Sequence, residues 1–97
     1  MSLFIRLATM TEKAVANIER LDKMLADARG VMSEEGARIL NAYATLGTYD
    51  IIAVIEAPSA EAAARLSARI AAQGNFRSET LAATPLEDFV KSVSGRA

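Results

Sequence analysis

Apolar positions recur along this chain with two periods, and the changes between them mark its elements. Leu3, Phe4, Ile5, Leu7 and Ala8 form an apolar run broken only by Arg6, which predicts a strand over Leu3–Ala8. From Glu12 to about Glu35 the period becomes helical. Val15, Ile18, Leu21, Leu25, Ala28 and Met32 recur at spacings of three and four, and most charged residues fall off that stripe. Thr9-Met10-Thr11-Glu12 offers two N-caps: Thr9, with Glu12 closing a capping box, and its rival Thr11. Gly30 weakens a helix by about 1 kcal/mol relative to Ala and is the expected kink. Gly36 is the expected terminator.

Ala37–Leu46 and Tyr49–Ala57 read as two strands flanking Gly47-Thr48, a link suited to a type II′ hairpin. Ser59 can cap a helix from Ala60 to about Gln73, whose stripe is Ala63, Leu66 and Ile70, and Gly74-Asn75 closes it. Phe76–Ala83 is a fourth strand. Thr84-Pro85-Leu86-Glu87 then opens a short helix to about Val93, with Thr84 as cap, Pro85 at the first helical position, and 94–97 expected to fray. This order predicts one α+β domain over 1–97. It is ferredoxin-like βαββαβ plus a short C-terminal helix, a four-stranded antiparallel sheet with helices on one face.

A two-residue hairpin sets Thr45 opposite Asp50 and Tyr43 opposite Ile52. Leu40, Ala42, Ala44, Leu46, Tyr49, Ile51, Ala53 and Ile55 then share the face suited to the helices. The opposite face is mixed, but Ile39, Tyr43, Ile52 and Val54 give it an apolar centre. Helices on one side only would leave that centre in water, and such patches mark interfaces. A homodimer or higher even-numbered oligomer, packed sheet to sheet, would cover it. A half-wet sheet is the alternative.

Composition narrows the chemistry. The chain has 97 residues, 52% of them hydrophobic, and a net charge of −1 from 11 basic and 12 acidic residues. These interleave without a basic block, which argues against nucleic acid as a partner. It has no cysteine and no histidine, which removes disulfides, zinc fingers, and Cys–His or Ser–His nucleophiles. No loop gathers the carboxylates of a calcium site, and no Gly-x-Gly-x-x-Gly or Gly-Lys-Ser/Thr occurs, so neither metal nor cofactor is expected. No apolar run reaches the ~18 residues of a membrane span, and the N-terminus lacks a signal-peptide pattern. A cytoplasmic location without membrane partners is the default.

The ligand-binding candidates are Tyr43, Thr45, Asp50, Arg77 and Glu79. Asp50, Tyr43 and Thr45 would share one face. There a base whose pKa is raised by burial could work, or Asp50 could simply accept backbone N–H groups beside a turn. Tyr49 belongs to the helix side as a core ring. Arg77 and Glu79 alternate on one face of the fourth strand. They suit an exposed ion pair, an interface contact, or an arginine holding a ligand's carboxylate or phosphate. Met10, Met24 and Met32 read as core filler.

Gly47-Thr48-Tyr49-Asp50 followed by Ile51–Ala57 and Pro58, and then Gly74-Asn75-Phe76-Arg77-Ser78-Glu79-Thr80-Leu81, resembles the signature of the GYD-domain family. Phe4-Ile5-Arg6-Leu7, Thr11 and Asn17-Ile18 extend the resemblance over nearly the whole chain. Ala42 and Ala44 replace larger residues usual in that strand, and Met10 replaces an aromatic, changes that would enlarge or empty a pocket under the sheet. The resemblance implies a ferredoxin-like domain of the dimeric α+β barrel type and implies no activity. Two functions are therefore carried forward: a homo-oligomeric small-ligand-binding or regulatory module, and a cofactor-independent enzyme of the monooxygenase or isomerase sort. A purely structural self-assembly subunit is a third.

Overall fold

A computed structural model describes residues 1–95. The elements are β1 (Ser2–Met10), α1 (Glu12–Ala16), a 3₁₀ turn (Ile18–Arg20), α2 (Leu21–Glu34), β2 (Arg38–Ala44), β3 (Ile51–Ala57), α3 (Ala60–Ala72), β4 (Phe76–Ala83) and α4 (Leu86–Ser94). The strands form one antiparallel sheet in the order β2-β3-β1-β4, the ferredoxin-like topology. The sheet is open, with β2 and β4 as its edges, so the expectation of a dimeric α+β barrel is corrected. Four strands are about half the number that encloses a side-chain-filled interior, and among the described residues of the single chain no barrel closes. Nor does the fold of the single chain support the oligomer which that barrel type implies.

Side-chain alternation assigns the two faces. In β1, Phe4, Arg6 and Ala8 are buried beneath the helices, while Ile5 and Leu7 lie on the open side. In β3, Ala53, Ile55 and Ala57 are buried. Helices α2 and α3 close the core with Met24, Ala28, Val31, Met32, Ala63, Leu66 and Ile70. Met24 and Met32 are thus core residues, and Met10 packs at the margin. Ile55, Leu66 and Ile70 are the largest fully sealed side chains. Each stabilises the fold by about 1.5–3 kcal/mol relative to exposure.

The long helix breaks at a different place from the one its sequence predicts. α2 runs unbroken through Gly30, and the interruption falls at Asn17, which leaves helical geometry at φ −121° and ψ 37°. Its Nδ2 donates to the Lys13 carbonyl at 2.9 Å, a local bond that competes with the helix ladder. The break turns Val15 and Ile18 out of the expected stripe, leaving them 55% and 46% exposed. Thr11 rather than Thr9 is the cap. Its hydroxyl accepts from the Ala14 N–H at 3.2 Å and donates to the Gly74 carbonyl at 2.7 Å.

After α2, Gly36 adopts φ +73°, and the Ala37 N–H returns to the Met32 carbonyl at 2.8 Å. A Cβ on Gly36 would also meet Pro58 Cγ at 3.1 Å, so both backbone and neighbour require glycine there. Just before this turn, Glu35 joins the helices. It accepts from Arg65 of α3 at 2.9 Å and from Arg69 at 3.1 Å, and Arg69 also reaches Glu34.

In the hairpin, Tyr43 pairs with Ile52 and Ala44 with Ile51, as the sequence predicts. The turn is wider than the expected two-residue link. The Thr45 N–H bonds the Asp50 carbonyl at 2.8 Å, and Leu46–Tyr49 span the gap, with Gly47 at φ +105° and Leu46 fully exposed. Further along, the register shifts. Ile39 lies opposite Ile55 and Asn41 opposite Val54, so Leu40 is bulged out. One extra residue exchanges faces. Ile39 packs against the core, and its expected place beside Tyr43, Ile52 and Val54 is corrected.

α4 begins at Leu86. Pro85 precedes it with ψ 135°, and its carbonyl accepts from Asp88 and Phe89, so Thr84 is not the cap. Gly95 ends the helix at φ +70°. Of the tail expected to fray, Ser94 still belongs to α4, and 96–97 lie outside the described residues.

Candidate functional site

Small residues meet where α2 crosses the sheet, and they leave a cavity of about 260 Å³. Ala8, Ala42, Ala44 and Ala53 form its floor, and Leu21, Leu25 and Met32 of α2 form a wall. Ala42 and Ala44 belong to the edge strand β2, where both are exposed, so the space opens toward that edge. The polar members of the lining are Arg6, Arg29 and Tyr43.

Arg6 is the unexpected member. Strand alternation places it between Phe4 and Ala8 on the buried face, and it is only 4% exposed. Its Nη1 donates to Ser67 Oγ at 2.7 Å and to Thr80 Oγ1 at 3.2 Å. Ser67 spends its only proton on the Ala63 carbonyl at 2.8 Å, so Thr80 must be the donor in their 2.8 Å contact. Both hydroxyl protons are thereby committed, and the pair holds Nη1 from one side. Arg6 Nε and Nη2 have no partner among the described residues. The one sealed, unpaired side-chain atom there is Gln73 Oε1, so the free Arg6 nitrogens still touch open volume. Burial lowers the Arg6 pKa from its ordinary value, with no acid's field opposing it. An arginine nevertheless keeps its charge.

The five residues singled out from the sequence do not converge on this cavity. Tyr43 lines it, though the residue sits on β2 opposite the open-face residue Ile52 and is 58% exposed. Thr45 serves the turn, donating to the Tyr49 carbonyl at 2.6 Å. The Asp50 carboxylate accepts from the Met10 N–H at 2.8 Å, while its own N–H bonds the Ala8 carbonyl at 2.9 Å. It therefore extends the β1–β3 pairing past the end of the ladder. Arg77 and Glu79 do share the open face of β4, opposite Thr9 and Leu7. Glu79 faces Tyr49 rather than Arg77. Burial raises the Tyr49 pKa, and the nearby Glu79 carboxylate raises it further. Since Glu79 stands on the open face, the helix-side placement of Tyr49 is also corrected.

In the sequence, Arg6 looks like an interruption in an apolar run. The signal was its parity with Phe4 and Ala8. The sequence predicts α4 as a helix but not the exposure of its apolar stripe. Its stripe of Leu86, Phe89, Val90 and Val93 has no buried member.

These features define a ferredoxin-like α+β protein with a cationic, otherwise apolar pocket and an uncovered amphipathic helix. Among the described residues no helix is long and apolar enough to cross a membrane, and no three His, Cys, Asp or Glu side chains gather as a metal site would need. The chain belongs to the GYD domain family, whose model matches residues 4–93. It is also 30% identical over 91 residues to a Thermus thermophilus protein described as a glutamine synthetase and cystathionine beta-lyase binding protein. That alignment spans 93% of this chain and 96% of the relative.

Proposed function

We propose that this chain is a non-catalytic regulatory module that docks onto a partner enzyme through α4. The observation that carries this is the exposure of all four large apolar side chains of that helix: Leu86 74%, Phe89 54%, Val90 52% and Val93 67%. They stand at i, i+3, i+4 and i+7, the anchor spacing of a helix that lies in a partner's groove. A nine-residue helix is shorter than the ~12–15 residues at which isolated helices are marginally stable, so a surface to pack on would stabilise it. The Thermus relative is named for binding two enzymes, and the likeness makes glutamine synthetase and cystathionine β-lyase the first partners to test. This reading keeps the cytoplasmic location.

The alternative of a cofactor-independent enzyme draws less support. Among the described residues no carboxylate lines the cavity, and Asp50, the base it would need, is engaged by the Met10 N–H. Size-exclusion co-elution with each enzyme from the same organism tests the docking reading. A complex is expected with at least one, and it should disappear with Phe89→Asp/Val93→Asp while the circular dichroism spectrum is unchanged. Absence of a complex, or an unaffected double variant, would overturn it. Light scattering on the free chain decides the self-association expected from the sequence, since a monomer leaves Tyr43, Ile52 and Val54 to other partners.

A further inference from the structure

We propose that the cavity between α2 and the sheet binds a small apolar carboxylate, with Arg6 as its anion-binding residue. Burying a charge without an opposite one costs several kcal/mol. Arg6 sits at 4% exposure with two hydroxyls and, among the described residues, no acid. Those hydroxyls hold only Nη1, and the Nε–Nη2 edge is free. A guanidinium edge of that kind presents two parallel N–H groups, the fork that matches a carboxylate's two oxygens.

The rest of the lining fixes the body of the ligand. Alanines floor the cavity and Leu25 and Met32 wall it, so the group attached to the carboxylate is apolar. An apolar cavity of ~150 Å³ accepts benzene, so about 260 Å³ suits a body somewhat larger than one ring. Larger ligand sites run to ~1,000 Å³, which excludes polycyclic or long-chain bodies. One buried cation balances one negative charge, which favours a monoanion. Arg29 belongs to the lining but is exposed, so it lies at the rim, where it would attract an approaching anion.

The site is independent of the helix-docking surface, and either can fail without the other. Calorimetry with 3-phenylpropionate and octanoate tests it, against the neutral isosteres 3-phenylpropanol and octanol and against acetate. At least one acid should bind. Its alcohol should bind about ten- to a hundredfold more weakly, the worth of hydrogen bonds to a charged group. Acetate, lacking the body, should not bind. In ¹⁵N spectra of the wild-type chain the Arg6 Nε resonance should shift with the acid and not with acetate. Arg6→Met should erase the preference for acid over alcohol. Ala44→Leu, a change on the exposed edge strand, should block both with Arg6 in place. Equal binding of acid and alcohol, no binding of either acid, or an Arg6 resonance untouched by a bound acid would each overturn the proposal.

Discussion

At the scale of single residues, the sequence tells what a side chain is and strand parity tells where it points. Arg6 is the case in which only the second mattered. Asp50 shows the reverse. Its place at the head of a strand was legible, and its carboxylate proved to be a backbone partner, one of the two roles its position allows. Asp50→Ala is expected to cost about 1–3 kcal/mol in urea denaturation, because the Met10 N–H loses its acceptor. Asp50→Asn keeps an acceptor oxygen and should cost less. If the two changes cost the same, the hydrogen bond is not what Asp50 contributes.

At the scale of elements, β4 and α3 were legible almost to the residue. Each is bounded by residues whose preferences agree, such as Ser59 capping the Ala62 N–H and Gly74 at φ +82°. Asn17 and Leu40 were not legible. A helix break and a one-residue bulge leave the local run of apolar residues unchanged, and tertiary packing chooses between the continuous and interrupted forms. The junction of α2 and α3 gives a pH prediction. The hydrogen bond from Arg65, with help from Arg69, holds the Glu35 pKa below its ordinary value, while burial opposes them. A depressed carboxylate pKa stabilises the folded chain fully above the unfolded value of ~4.3. That stabilisation is lost as pH falls through the lower folded value. Urea titrations at descending pH should record the loss, Glu35→Gln should remove that share of it, and high salt should mute it. An unchanged acid response in the variant would contradict this account of the clamp.

At the scale of the whole molecule, the ferredoxin-like topology was legible, because the alternation of strand and helix patterns leaves few topologies. Barrel closure was not, since it depends on how many strands close and not on any one of them. The core is thin, rich in alanine, and dependent on a few large side chains. Leu66 is fully buried, and Leu66→Ala should cost about 2–5 kcal/mol. Set against a usual total of ~5–15 kcal/mol, that is a large share, and chemical denaturation should show it as a lower midpoint. A loss well below this range would mean that α3 settles into the space.

The position of β1 at the centre of the sheet also orders events during synthesis. β1 precedes its partners in the chain, yet its two edges are completed by Ile51–Ala57 and then by Phe76–Ala83. A nascent chain at the ribosome therefore carries Leu3, Phe4, Ile5 and Leu7 without a full set of strand partners until β4 has emerged. Translation proceeds at ~5–20 residues per second, so that interval lasts seconds. Through it, the first apolar strand keeps unpaired edges of the kind that make partly folded chains prone to aggregate.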